Sequence, residues 1–238
     1  MASEPTPDPT NVKERLKASY DAMADTYNEW TIPHSKQRMD YLERALEHLK
    51  PEAQPGGRAL AFLELGCGCG LPVTQRLLSH AAGARVIAND LSDTQISLAR
   101  TNLLSGSAAA ADDPTLSRRL ELVPGDMTKL DFADGSLDLV AAFYSVIHLP
   151  RDEQVVLFER VARWLRPGGC FVANFAKEER EGAVMEKWLD DDRGWMYWSA
   201  WGEEKTLDKL KGAGFEILVA DVVEDVVDAT FVWVIAKR

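Results

Sequence analysis

The 238-residue sequence predicts an α/β protein with a seven-stranded, mostly parallel sheet, an antiparallel C-terminal strand and helices on both faces. Three observations predict it. Short apolar runs alternate with amphipathic helical patterns from residue 59 to residue 175, the mark of strand–helix–strand crossovers. The first run, Ala59–Leu65, breaks into the glycine turn "GCGCG" before a helix. The last two runs, Phe215–Val223 and Thr230–Ala236, are separated only by "EDVVDA". A gap that short holds no crossover helix, so the final strand is expected antiparallel to its neighbour.

Each element has a local reason. Residues 1–11, "MASEPTPDPTN", carry three prolines among acidic and polar residues and read as a disordered tail. Val12–Trp30 reads as an amphipathic helix and Ser35–Lys50 as another, with Ser35 placed to cap it. "PEAQPGG", residues 51–57, is a linker. After the first strand come a helix (about Pro72–Ala82), a strand (Arg85–Asn89) and a helix (about Ser92–Leu104). "SGSAAAADDPT", residues 105–115, is low in complexity and reads as a surface loop. Strands Leu120–Val123 and Leu137–Phe143, helix Arg151–Trp164 and strand Cys170–Phe175 resume the alternation. Helix Glu203–Ala213, closed by Gly212 and Gly214, leads into the terminal pair, so residues 12–238 are expected to form a single domain.

Composition narrows the class. Hydrophobic content of 46% and charged content of 27% are ordinary for a soluble globular protein. No apolar run approaches the ~20 residues of a membrane span, and the N-terminus lacks the basic-then-apolar order of a secretory signal. The net charge is −11 and basic residues occur only as scattered pairs such as Arg118–Arg119, which argues against a nucleic-acid partner. Three cysteines, two of them flanking Gly68, suggest neither a disulfide framework nor a zinc site; a reducing, cytoplasmic location is expected.

Two ligands compete for the glycine turn. A dinucleotide fingerprint needs G-x-G-x-x-G. Gly66 and Gly68 satisfy its first two positions, but the third is Leu71, and the third glycine arrives one residue early at Gly70. Glu64, two residues before the turn, would repel a pyrophosphate and welcome an ammonium group. Asp90 ends the next strand in "VIANDLS", 20 residues beyond Gly70, where a carboxylate can accept from two vicinal ribose hydroxyls. Asp126, in "PGDM" after the third strand, is placed to accept from an adenine amino group. Three acids at the carboxyl ends of three strands face one crevice, where open α/β sheets bind ligands. They describe a ligand with an adenosine and a positive charge, and without phosphates.

These motifs, together with "DGSLDLVAAFYSVIHL" and "VARWLRPGGCF", resemble a class I S-adenosylmethionine-dependent methyltransferase of the small-molecule type, over about residues 12–238. The resemblance implies a Rossmann-like fold and S-adenosyl-L-methionine as cofactor, with S-adenosyl-L-homocysteine as product. It implies cofactor contacts from Glu64, Gly66, Cys67, Gly68, Gly70 and Leu71 at the turn. Asp90, Leu91 and Gln95 follow the second strand, Gly125, Asp126 and Met127 the third, and Phe143 and His148 the fourth. A Y-D-x-x-A-x-x-Y pattern adds Tyr20 and Tyr27, seven apart and so on one face of a helix that would lid the cofactor within residues 12–50. Two aromatic rings near a sulfonium also make sense as cation–π contacts; two core tyrosines are the alternative.

The chemistry asks little of the protein beyond binding, orientation and exclusion of water. His148, at the end of the fourth strand, is the candidate base; a cofactor-lining or structural role stands beside it. Residues 186–204 hold Trp188, Trp195, Tyr197, Trp198 and Trp201, in a chain with only 7 tryptophans. With Tyr144, this stretch of the insertion 176–204 suggests an apolar or aromatic acceptor pocket, in which Tyr144, Trp195, Tyr197, Trp198 and Trp201 would touch the acceptor. A hydrophobic cover or a dimer contact is the plainer reading. The fourth and fifth strands end in "AFYS" and "ANFA", without the acids that hold magnesium in the catechol-type branch, so a metal-independent reaction is expected. Methyl transfer to a small molecule at O, N or S is the leading reading. A repurposed enzyme, a non-catalytic binder of the cofactor, a peptide methylator and a nicotinamide dehydrogenase are its rivals.

Overall fold

The computed structural model describes residues 9–49, 59–105, 115–225 and 229–238. The expected linker at 51–57, nearly all of the loop at 105–115 and most of the N-terminal tail lie outside them.

Seven strands form one sheet. β1 (Ala61–Leu65), β2 (Arg85–Asp90), β3 (Leu120–Pro124), β4 (Leu137–Ala142) and β5 (Leu165–Ala176) precede β8 (Glu216–Glu224) and β9 (Thr230–Lys237). The intervening β6 (Glu179–Glu186) and β7 (Trp195–Trp201) form a separate hairpin. The order across the sheet is β3-β2-β1-β4-β5-β9-β8. The first five strands pair in parallel; β9 runs antiparallel to both β5 and β8, as the short gap before it required. All six residues of β4 are buried, because helices cover both faces of the sheet centre.

Strand periodicity divides the core in two. On one face Phe62 and Trp233 pack with Tyr41 and Leu42 of α2 (Lys36–Glu47) and Leu77 of α3 (Val73–His80). The Tyr41 and Trp233 rings stack at 4.8 Å. On the other face Leu63, Leu65 and Val234 meet Phe158 and Trp164 of α6 (Arg151–Trp164). The chain also forms α1 (Pro9–Thr31), α4 (Asp93–Arg100, extended by a wider turn over Thr101–Ser105), the short α5 (Leu116–Arg119) and α7 (Glu203–Gly212).

Four expectations change. The first helix begins at Pro9 rather than Val12, because proline is tolerated in a helix's first turn. Ser35 does not cap α2: its hydroxyl donates backwards to the carbonyls of Thr31 and Ile32. The fifth strand starts at Leu165, with "RPGG" looped out between Leu165, paired to Leu137, and Cys170, paired to Leu139. The aromatic insertion, to which the sequence reading assigns no strands, forms an antiparallel hairpin of β6 and β7. Val12, Leu16 and Met23 of α1 pack on Trp195, Met196 and Tyr197 of that hairpin, so helix and hairpin together wall the carboxyl ends of the strands.

Candidate functional site

The glycine turn is held by its neighbours' backbone and one acid. Gly66 and Cys67 donate N–H bonds of 2.8 and 2.9 Å to the Asn89 carbonyl. Gly68 N–H donates to Asp90 Oδ2 at 2.8 Å, while Asp90 Oδ1 accepts from Ser92 N–H at 2.9 Å. Ser92 caps α4, its hydroxyl accepting from Gln95 N–H. Asp90 thus ties the turn to the start of the next helix. Burial pushes its carboxyl up to about 6, against the pull of these N–H donors. Gly66 has φ +77°, and a Cβ there would sit 2.4 Å from the Ser145 Cβ.

A cavity of about 80 Å³ opens on this turn. Gly66, Gly68, Asp90, Leu91 and Gln95 line one side of it. Asp126, Met127, Phe143, Tyr144 and His148 line another, and Tyr20 and Tyr27 close it from α1. Lys13, Leu16, Tyr20 and Tyr27 of α1 reach into this space. The donor set fits an adenosine: an acid at the end of β2, a turn without side chains, and a second acid after β3.

Five expected cofactor residues lie elsewhere. Glu64 is 4% exposed and accepts a hydrogen bond from the Thr74 hydroxyl behind the turn. Cys67 is buried beside it, and Leu71 packs against the helical core. Gly70 faces α4, where a Cβ would lie 2.6 Å from Leu103 Cδ1. Gly125 lends its N–H to the Asp90 carbonyl but does not reach the cavity. The glycine spacing therefore serves packing at one position and the crevice at the other two.

Asp126 is already engaged. Its Oδ1 accepts from Thr128 N–H and hydroxyl at 2.9 and 2.8 Å, and its Oδ2 lies 2.7 Å from Lys13 Nζ. Lys13 also reaches Glu153 at 2.5 Å. Despite opposing burial, these partners hold the Asp126 carboxyl below its usual range. Lys13 extends the Tyr20–Tyr27 stripe by one more step of seven, a periodicity that the sequence carries and that the aromatic pattern alone does not single out.

Glu64 carries a pH signature. Burial pushes its carboxyl up to about 8, partly offset by the Thr74 hydroxyl and the Arg38 charge. A carboxyl raised in the fold stabilises most below its unfolded value of ~4.3 and loses that contribution as pH climbs toward 8. Glu64→Gln keeps a neutral amide in the same space. Its melting temperature is expected to rise relative to wild type between about pH 5 and about pH 8.5; a pH-independent difference would place an ionised Glu64 in the fold.

A second cavity, about 430 Å³, lies beyond the first and shares Tyr20, Tyr27, Tyr144 and His148 with it. Its volume falls in the ~300–1,000 Å³ range of small-molecule sites. Trp188, Trp198 and Trp30 wall it from the hairpin and α1, and Phe231 from β9. The Trp188 ring lies 5.7 Å from Tyr27, 5.7 Å from Trp30 and 6.2 Å from Trp198, a continuous aromatic belt. Three expected acceptor contacts are not in it. Trp195 turns to α1 beneath Arg15, Tyr197 is buried among α1 side chains, and Trp201 lies under Arg151 and Lys209. Strand alternation explains the split: along β7, Trp198 and its odd-numbered neighbours point to opposite faces.

His148 sits at the junction of the two cavities. Its Nδ1 lies 2.7 Å from the Tyr197 carbonyl, which only accepts, so Nδ1 carries the proton and Nε2 accepts from the Tyr20 hydroxyl at 3.1 Å. Burial pushes its pKa down to about 4. The ring that the sequence offered as a candidate base, or as a cofactor-lining or structural residue, is neutral and has both nitrogens engaged, one of them on the Tyr20 hydroxyl. Tyr144 adopts a left-handed φ of 52°, with its N–H on Asn174 Oδ1 at 2.7 Å and its hydroxyl donating to Asp225 at 2.6 Å.

Comparison with known proteins finds a methyltransferase domain and a shared fold. Residues 62–169 match the family model described as a methyltransferase domain. A sterol 24-C-methyltransferase of Gibberella zeae is 28% identical over 73% of this chain and 44% of its own length. One of Saccharomyces cerevisiae is 28% identical over 68% and 41%. The chain spans less than half the length of these relatives. Among solved structures, 1,6-didemethyltoxoflavin-N1-methyltransferase of Burkholderia thailandensis, bound to 1,6-didemethyltoxoflavin and S-adenosylhomocysteine, aligns with TM-score 0.69 at 18% identity. It covers 100% of this chain and 93% of that one. The [4+2]-cyclase SpnF aligns at 0.64 and 18%, over 100% and 99%. With a glycine turn tied to the acid that ends β2 and a sheet closed by an antiparallel β9, residues 62–169 match a methyltransferase domain, and the chain shares the fold of S-adenosylmethionine-dependent methyltransferases.

Proposed function

We propose that the chain transfers a methyl group from S-adenosylmethionine to a small apolar or aromatic acceptor without a metal ion. The observation that carries this reading is the pair of cavities meeting at Tyr20, Tyr27, Tyr144 and His148. One opens on the glycine turn and Asp90; the other is walled by aromatic rings. When bound, the cofactor supplies an electrophilic methyl on a sulfonium.

The chain's own residues do the rest. Asp90 accepts from the ribose hydroxyls and Gln95 flanks them. Asp126, steadied by Lys13, sits on the adenine side. Tyr20 and Tyr27 present rings to the positive sulfur, with His148 fixing the Tyr20 hydroxyl. The residues of 12–50 act as a lid, and those of 176–204 as the acceptor wall. Among the described residues no three His, Cys, Asp or Glu side chains gather where they could hold a metal ion. Among them also, no helix is long and apolar enough to cross a membrane.

Isothermal titration with S-adenosylmethionine, S-adenosylhomocysteine and NAD tests the reading. Binding of the first two without NAD is the expected result. Binding of NAD alone, or of none, would overturn it.

A further inference from the structure

The charges around the second cavity select among acceptors. Glu178 and Asp225 line it together with Arg180, and the buried Arg38 guanidinium lies 5.7 Å from the Tyr144 ring at its junction with the first cavity. Asp225 is anchored by the Tyr144 hydroxyl at 2.6 Å. Where this cavity meets the first, Tyr20, Tyr27, Trp188 and Trp198 form the aromatic belt, with Tyr20 and Trp188 at 6.3 Å. Aromatic faces and carboxylates both favour positive charge and disfavour negative charge.

Resting on the methyl-transfer reading above, we propose that the acceptor is a neutral amine whose nitrogen becomes cationic within this belt. Transfer forms the N–C bond as the C–S bond breaks. The bonding pair stays on sulfur and the positive charge passes to nitrogen; a primary or secondary amine then releases its proton to solvent. No protein base is consumed in the methyl-transfer step, because the amine leaves its proton in solvent before it enters as the neutral form. That matches a junction whose polar atoms are engaged with one another, Tyr20 hydroxyl on His148 Nε2 and His148 Nδ1–H on the Tyr197 carbonyl. An alcohol or phenol would need its proton removed first. The resulting oxyanion would face the negative ring faces and two carboxylates. Burial, which holds the His148 ring neutral, leaves it a poor acceptor for that proton.

The cavity's preference can be read without turnover. Benzyltrimethylammonium and its uncharged carbon isostere, neopentylbenzene, have nearly the same shape and differ in charge. Titrated into the full chain and followed by tryptophan fluorescence, the cation is expected to bind on the order of 10-fold tighter. Glu178→Gln and Asp225→Asn together should erase most of that preference and leave neopentylbenzene binding unchanged. Asparagine at 225 can still accept from Tyr144, so this variant retains the local hydrogen bond. Equal binding of the two ligands, or tighter binding of the neutral one, overturns the proposal.

A second arm separates it from the reading beneath it. If S-adenosylmethionine binds, N,N-dimethylbenzylamine should be methylated to benzyltrimethylammonium in preference to p-cresol or styrene. Methylation of p-cresol or styrene in place of the amine refutes the amine proposal alone. Failure of S-adenosylmethionine to bind refutes the methyl-transfer reading, whatever the cation does.

Discussion

Asp90→Ala is expected to weaken S-adenosylmethionine binding on the order of 100-fold or more, with the fold retained. Hydrogen bonds to a charged acceptor contribute about 1.5–3 kcal/mol each, and ~1.4 kcal/mol is tenfold in affinity. The substitution removes the proposed ribose acceptor together with the link from Gly68 N–H to Ser92 N–H across the turn. Both losses fall on the binding face, while the strand beneath keeps its pairing through Asn89 and Asp90 backbone atoms. Calorimetry on wild type and variant, with circular dichroism as the control for folding, decides it. Because the Asp90 carboxyl is pushed up to about 6, wild-type affinity should also fall as pH drops through that value, when the acceptor becomes protonated. An Asp90→Asn variant should lose this slope. An unchanged dissociation constant in Asp90→Ala would remove Asp90 from the cofactor site.

Much of this architecture is legible because it rests on local periodicity. Parallel strands buried on both faces read as apolar runs, and the six-residue gap before β9 admits only an antiparallel return. The turn residues Gly66 and Gly68 and the acids Asp90 and Asp126 also sit where strand ends put them. What stayed hidden depends on partners far away in sequence. Glu64 has the right type and position for a charged ligand, yet Thr74, ten residues on, takes its carboxyl out of the crevice. Which tryptophans of the insertion reach the cavity depends on the register of the β6–β7 hairpin and on α1 packing against it. Composition alone therefore cannot tell Trp198, which faces the cavity, from Trp195 and Trp201, which do not. Trp30 joins Trp188 only after the hairpin folds back to within 5.7 Å of it. The group that orients His148 is the backbone carbonyl of Tyr197, and a carbonyl leaves no mark in a sequence.

Gly66→Ala is expected to cost about 2–5 kcal/mol of folding stability, a large share of the ~5–15 kcal/mol of a typical domain. Two effects add. A left-handed φ of +77° costs a non-glycine residue about 1–2 kcal/mol, and crowding a packed site adds about 1–3. The crowding is specific: the new methyl would stand 2.4 Å from the Ser145 Cβ, which belongs to the segment linking β4 to the His148 turn. Either the glycine turn lifts or Ser145, which lines the first cavity, moves, so binding should fall along with stability. Gly83→Ala separates the two effects. Gly83 has φ +82°, and a methyl group added there would meet nothing within 4 Å, so it should lose only the dihedral part, about 1–2 kcal/mol. Urea unfolding of both variants, and of Gly66→Ala combined with Ser145→Gly, measures the difference. The double variant should recover part of the loss and none of the dihedral cost. Equal losses at positions 66 and 83 would mean that Ser145 yields freely, leaving the turn fixed by backbone conformation alone and the close approach of β1 and β4 without a role in shaping the crevice.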